Sequence, residues 1–303
     1  MLLIKGGDLL VDGSVAVAHR LKVSPLLIGL VLVGFGTSSP ELATSLLAAY
    51  RRAEGIAVGN VIGSNVANIL LVLGVAAFIQ RVPVRRASFR RDSFFLILST
   101  VILVLALLWG RIGFILGLLM CVALGWYVYY SYQTEKVSQF TMEEVEQTVS
   151  KNPGRGAFGK DVLRAVSGIM LTLFGAHLLV ENGVLLASSW GVSETVIGLT
   201  MIAVGTSLPE LATSVIASLK KQSDLALGNV IGSNIYNALF ILGFTALFVP
   251  IQVPAHILVD IVVMALATGL LLFFGFQNKL SKKCGILFVV LYALYIVYLV
   301  HSA

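Results

Sequence analysis

The chain is short of charge. Asp, Glu, Lys and Arg make up 12% of its 303 residues, against roughly 25% in soluble domains, which excludes a water-soluble globular fold. Histidine is nearly missing, with four in the whole chain, and there are two cysteines. Cys121 and Cys284 lie in or at the edge of apolar stretches, so they offer neither a disulfide framework nor a soft-metal site and read as core residues. There are seven prolines, and one inside an apolar run is weak evidence by itself, since kinked spans are common. What the chain has is apolar: 58% of it is hydrophobic and its mean hydropathy is +0.96.

The apolar runs are long and continuous, not alternating, which argues against a β-barrel. A helix needs roughly 20 apolar residues to cross the hydrocarbon core. Hydropathy places spans near 1–20, 24–50, 57–79, 93–109, 112–133, 162–187, 193–219, 225–249, 255–275 and 284–301. The expected fold class is an all-α polytopic membrane protein of ten transmembrane helices. The first stretch carries Lys5, Asp8 and Asp12 and no convincing cleavage site, so it does not read as a removable signal. The net charge of +6 sits between apolar segments and not on one face, which speaks for topology and against nucleic acid.

The longest polar gap, Thr134 to Lys160, divides the chain into a first repeat (1–133), a connector (134–161) and a second repeat (162–303). Its acidic residues Glu143, Glu144 and Glu146 could bind a cation, but a solvated connector is the plainer reading. Counting Lys and Arg over alternate loops gives roughly 17 on one side against 4 on the other, and the basic side is the cytoplasmic one. Both termini are therefore expected outside a cell (inner) membrane.

An internal repeat changes the problem. GTSSPELATS (36–45) recurs as GTSLPELATS (205–214), and GNVIGSNVAN (59–68) as GNVIGSNIYN (228–237). The two α-repeats, 34–74 and 203–243, overlay without a gap. Five spans per half is an odd number, so the second copy must enter the membrane upside down. Arg51–Arg52 then fall outside while their counterparts Lys220–Lys221 fall inside. Inverted repeats of this kind typify secondary transporters that bind their cargo at the midplane between the copies. Met1 overlays Met170, although the sixth span begins near Val162. The first helix thus lacks roughly eight residues of its partner's length; the expectation is a start upstream of Met1, the alternative a short span that thins the bilayer.

Glu41 and Glu210 each follow a proline inside an apolar segment. A carboxylate there costs about 2.5–3.5 kcal/mol on insertion scales, so it normally faces a partner or a pathway. A structural ion pair is the bland alternative, but no Lys or Arg lies mid-span nearby. Pro40 and Pro209 lack an N–H and crowd the preceding turn, which opens the helix and frees main-chain oxygens around Gly36–Thr37 and Gly205–Thr206. Gly59, Gly63, Gly228 and Gly232 permit close backbone approach, and packing alone could account for them. Ser64 with Asn68, and Ser233 with Asn237, are four apart and share a helix face; interhelical hydrogen bonding is their structural alternative. Two carboxylates, carbonyls and hydroxyls form a hard-oxygen set, suited to Ca²⁺ or a similar cation and not to zinc or copper. Two negative charges balance one Ca²⁺ or two Na⁺.

The paired GTSSPE/GTSLPE and GNVIGSN-x-x-N motifs resemble the α-repeats of the sodium/calcium exchanger family, and the resemblance covers nearly all of the chain, like that of a compact prokaryotic member. It implies ten helices, Na⁺ influx driving Ca²⁺ extrusion, and alternating access by the spans at 1–20 and 162–187 sliding against the rest. It further implies that Glu41 and Glu210 bind Ca²⁺ with the carbonyls of Thr37 and Thr206. Ser38, Ser207, Ser64 and Ser233, with the carbonyls of Gly34 and Ala203, would form flanking Na⁺ sites. Asn68 and Asn237 would line the middle; Asp at one of these places marks some relatives, including the K⁺-carrying branch. The Gly-Asn-x-x-Glu pattern of the proton/calcium branch is absent. The expected cargo is Ca²⁺ and Na⁺, with no cofactor and no obligate protein partner beyond the lipid bilayer.

The alternative within transport is H⁺-driven Ca²⁺ exchange, with the two glutamates protonating in place of binding Na⁺. A channel could use the same oxygens without coupling. An enzyme is disfavoured, because no nucleophile–base pair accompanies the glutamates. Asp8 and Asp12, and their counterparts His177 and Glu181, each share one helix face. They either couple protons or make polar contact with the core. Trp126, Tyr127, Tyr129, Tyr130 and Tyr132 read as a cytoplasmic interfacial belt, and Asp260 as an interfacial residue without a role.

Overall fold

The computed structural model describes residues 1–137, 155–189, 203–254 and 257–302. In the first half these form α1 (Leu2–Leu21), α2 (Pro25–Ile28), a π turn (Gly29–Val33), α3 (Gly34–Thr37) and α4 (Ser39–Tyr50). There follow α5 (Glu54–Ala67), a π turn (Asn68–Leu73), α6 (Gly74–Ile79), α7 (Arg86–Leu108) and α8 (Phe114–Val137). The second half has α9 (Arg155–Ser189), α10 (Ala203–Thr206), α11 (Leu208–Leu219) and α12 (Ser223–Tyr236). A π turn (Asn237–Ile241), α13 (Leu242–Phe248), α14 (Leu258–Phe276) and α15 (Lys282–Ser302) complete it.

Among the described residues, seven helices are long and apolar enough to cross a membrane, or eight when Pro25–Thr37 and Ser39–Tyr50 count as one broken span. The α1 helix, with Lys5, Asp8 and Asp12 in 20 residues, is not one of them, and α11 is a shorter apolar helix. The connector's Glu143, Glu144 and Glu146, and the starts of the spans expected at 193 and 255, lie outside the described residues.

Helices overrun the hydropathy boundaries at the polar ends. The α7 helix begins at Arg86, not 93, because Arg91 pairs with the fully buried Asp92 at 2.7 Å and also donates to Ser131 O and Thr134 Oγ1 of α8. Helical hydrogen bonding continues where the apolar belt stops. One feature departs from an all-helical chain: Arg111–Ile112 (β1) pairs antiparallel with Ile251–Gln252 (β2). The aromatic belt is also split. Trp126, Tyr129, Tyr130 and Tyr132 are exposed, whereas Tyr127 is fully buried with its ring 4.7 Å from that of Phe95.

The helices carrying the GNVIGSN copies are the innermost. In the apolar 18-residue stretches within Glu54–Ile79 and Ser223–Phe248, 72% and 83% of the residues are buried, against 17% within Phe158–Leu186. On one side α12 meets the Pro25–Val33 segment backbone to backbone: a Cβ added to Gly232 would stand 2.7 Å from Leu30 Cα, and one on Gly29 2.6 Å from the Leu225 carbonyl. Only glycine fits there. The copy-related Gly59 and Gly63 meet no such neighbour within 4 Å among the described residues. Small residues also bring α1 against α9, where a Cβ on Gly6 would lie 2.6 Å from Thr172 N.

Candidate ion-binding site

Both glutamates stand at the start of a helix that resumes after a break. The first break falls at Ser38 (φ −82°, ψ 9°) and the second at Ser207 (φ −86°, ψ 4°). Pro40 and Pro209 are second residues of α4 and α11, where a missing N–H costs nothing because the first turn has no acceptor to offer it. The bend between the first pair is 42°. Glu41 and Glu210 lie in the opening turns, where the helix dipole favours negative charge. Both are wholly buried.

Around them the two copies interlock. Ser38 Oγ donates to Glu210 Oε1 at 3.0 Å, across 172 residues of sequence. Ser233 Oγ lies 3.4 Å from the Gly34 carbonyl and donates to it. Thr37 Oγ1 reaches Asn229 Oδ1 at 3.3 Å, and Thr206 Oγ1 reaches Asn60 Oδ1 at 3.5 Å. Ala203 and Thr206 bound the short helix that ends at the second break. The arrangement is not symmetric in detail: among the described residues Ser207 Oγ, the counterpart of Ser38, has no hydrogen-bond partner, and neither has either carboxylate oxygen of Glu41.

The remaining expected side chains hold buried atoms without a partner among the described residues. Glu210 Oε2, Ser64 Oγ and both polar atoms of Asn68 and of Asn237 make no hydrogen bond among the described residues. Each such atom costs about 1–3 kcal/mol if nothing replaces the lost water, and native interiors contain few of them. Such atoms on the same repeated segments as the two carboxylates are what a bound cation would satisfy. Asn68 and Asn237 also each open a π turn, a distortion frequent at functional sites. No cluster of three His, Cys, Asp or Glu occurs among the described residues, so the donors here are two carboxylates plus neutral oxygens.

Two residues that sequence reasoning passed over are built into the same site. Asn60 and Asn229, the first asparagines of the repeated motif, donate to main-chain and hydroxyl oxygens of the glutamate-bearing helices. The signal that singled out Asn68 and Asn237 applies equally to them: an amide in an apolar run, duplicated at a constant offset.

The second set of membrane-level charges has gone to a structural contact. Lys220 Nζ bridges Asp8 at 3.0 Å and Asp12 at 2.7 Å, tying α1 to the end of α11. Burial opposes the charge on Lys220, but the Asp12 and Asp8 carboxylates outweigh it and hold the amine above its ordinary pKa. The counterparts His177 and Glu181 lie 3.6 Å from each other on α9, both exposed. Beside the bridge, a cavity of about 440 Å³ is lined by Asp12, His19, Arg20, Asp161, Arg164 and Lys220, with Arg20 and Asp161 paired. Asp260 accepts a hydrogen bond from Tyr295 at 2.8 Å.

Apolar helices around a duplicated, buried hard-oxygen site define a membrane protein that moves cations. The sequence pattern of the sodium/calcium exchanger protein family matches residues 1–133 and 161–301; the chain belongs to that family and is a multi-pass membrane antiporter that exchanges cations for Ca²⁺. It is 38% identical over 262 residues to the putative antiporter CaxA of Alkalimonas amylolytica, covering 82% of this chain and 78% of that protein. It is 31% identical over 334 residues to the sodium/calcium exchanger MaX1 of Methanosarcina acetivorans, covering 99% and 95%. The solved structure of the sodium-calcium exchanger NCX_Mj soaked with 2.5 mM Na⁺ and 1 mM Sr²⁺ superposes with a TM-score of 0.85 at 31% identity, over 98% of this chain and 94% of that one.

Proposed function

We propose that the protein exchanges Na⁺ for Ca²⁺ by alternating access, with Glu41 and Glu210 as the shared charge of the site. The observation that carries this reading is the pair of wholly buried carboxylates on copy-related broken helices, together with buried oxygens on the repeated segments that have no partner among the described residues. In this reading Ca²⁺ lies between the two carboxylates and the carbonyls of Thr37 and Thr206. Na⁺ ions occupy flanking positions at Ser38, Ser207, Ser64, Ser233 and the carbonyls of Gly34 and Ala203, and Asn68 and Asn237 line the middle. One Ca²⁺ or two Na⁺ neutralise the pair. The site carrying two bare charges is costly to move through the membrane, so transport in one direction waits for cargo in the other.

The architecture that goes with this function is ten helices in two inverted repeats, 1–133 and 162–303, joined by a cytoplasmic connector, in the inner membrane with both termini outside. The relatives named for sodium/calcium exchange support Na⁺ as the driving ion.

The test is Ca²⁺ uptake into proteoliposomes loaded with Na⁺ at equal pH on both sides. Uptake that needs internal Na⁺ is expected. Uptake that ignores Na⁺ and follows an imposed pH gradient would replace it with proton-driven exchange, and uptake that cannot run uphill on either gradient would make the protein a channel.

A further inference from the structure

Asn60 and Asn229 occupy copy-related positions, and each performs the same two tasks. With its amide N–H groups each grips the helix of its own copy. Asn60 Nδ2 donates to the Glu41 carbonyl at 3.0 Å and to Ser45 Oγ at 2.9 Å; Asn229 Nδ2 donates to the Glu210 carbonyl at 3.4 Å and to Ser214 Oγ at 3.0 Å. A main-chain carbonyl takes only donors, so it fixes which way each amide points. The amide oxygen is thereby turned to the other copy, where it meets the hydroxyl of Thr206 at 3.5 Å or of Thr37 at 3.3 Å. Thr37 shares its one proton between this oxygen and the Val33 carbonyl at 2.9 Å.

We propose that Asn60 and Asn229 are positioning residues that fix the rotation of each glutamate-bearing helix and tie it to the threonine of the opposite copy. The inference rests on the ion site proposed above. A glutamate carbonyl and the serine four residues later lie on one helix face. A single amide holding both stops the helix from turning about its axis, and that turn is what would swing the carboxylate out of the site. The threonines of the second task carry the carbonyls assigned to Ca²⁺. Each half of the site is therefore set partly by the other half, and the two carboxylates come to a common geometry.

Packing alone would leave a different trace from positioning, and a double-mutant cycle separates them. Binding of ⁴⁵Ca²⁺ to purified full-length protein is measured by equilibrium dialysis, alongside Na⁺-driven uptake in proteoliposomes. Asn229→Ala should raise the Ca²⁺ concentration for half-saturation about five- to tenfold, the scale of one buried hydrogen bond, with the maximal rate within about threefold. Thr37→Val should add little to Asn229→Ala but multiply with Asn60→Ala, since only the first pair touch. Ser45→Ala and Ser214→Ala remove one arm of each grip and should move half-saturation the same way by about two- to threefold, which keeps the test open if an asparagine variant fails to fold. Unchanged half-saturation in these variants, or a Thr37→Val effect of equal size in both asparagine backgrounds, overturns the positioning role. Wild-type protein that binds no Ca²⁺ overturns the proposed function instead.

Discussion

Two carboxylates without a base beside them constrain every neighbouring side chain. Glu41 and Glu210 are fully buried, Glu210 Oε1 accepts from the Ser38 hydroxyl, and the Asn60 and Asn229 amides hold the two main-chain carbonyls, none of these partners carrying a formal charge. Replacing either with glutamine keeps the size and removes half of the charge that a divalent ion needs. Glu41→Gln and Glu210→Gln should each lower Ca²⁺ uptake by on the order of a hundredfold or more, since removing a charged partner from a buried site costs about 3–5 kcal/mol, while the protein still elutes as a folded species. Uptake near the wild-type rate in either variant would remove that glutamate from the site. These residues were legible because a carboxylate after a proline in an apolar run occurs twice at one offset. The partners were not legible. The bond from Ser38 to Glu210 and that from Thr37 to Asn229 span 172 and 192 residues, and no spacing rule along a helix reaches across an inverted pair.

Elements carry information that single residues do not. The break in each glutamate-bearing segment followed from proline chemistry, yet it lies at Ser38 and Ser207, two residues ahead of the prolines, because proline is at home in the first turn of the helix it begins. The π turns after Asn68 and Asn237 left no mark in hydropathy, which registers what a helix buries and not how its ladder is wound. Nor did loop counting show that Lys220, a topology marker by sequence, reaches back to Asp12 and Asp8. That bridge joins α1 to the interior. Its amine has a raised folded pKa, so the stability it contributes is complete below the unfolded lysine value of about 10.4 and is lost only as pH climbs through the higher folded one. Between pH 6 and 9 the bridge should be insensitive to pH, and any transport change in that window must arise elsewhere. Charge reversal is the sharper probe. Lys220→Glu should slow Na⁺-driven uptake several-fold, on the scale of about 1 kcal/mol for a partly exposed pair, and adding Asp12→Lys should restore it. Failure of the swap to restore uptake would leave Lys220 as a topology residue alone.

At the scale of the whole molecule, the repeat implies that matching segments face opposite sides of the membrane. Ala53 follows α4 and Gln222 follows α11 at the constant offset, and the backbone treats them alike: Arg52 and Lys221, one residue earlier, both adopt φ 60° to close their helices. The backbone is therefore alike at both places, which makes them a matched pair for reading sidedness. In the proposed architecture, five spans per copy and the excess of basic residues on one side would put Ala53 outside and Gln222 inside. The two native cysteines are free and can be replaced to give a clean background. A membrane-impermeant maleimide applied to intact cells should then label Ala53→Cys directly and Gln222→Cys only after permeabilisation. Labelling of both from the same side would break the inverted repeat, and with it the argument that one site between the copies is offered alternately to two compartments. In the proposed mechanism opposite sidedness would open one site alternately to two compartments, since copy-related halves that face opposite ways can exchange roles while the carboxylates between them stay in place; the ion gradients then set the direction of exchange.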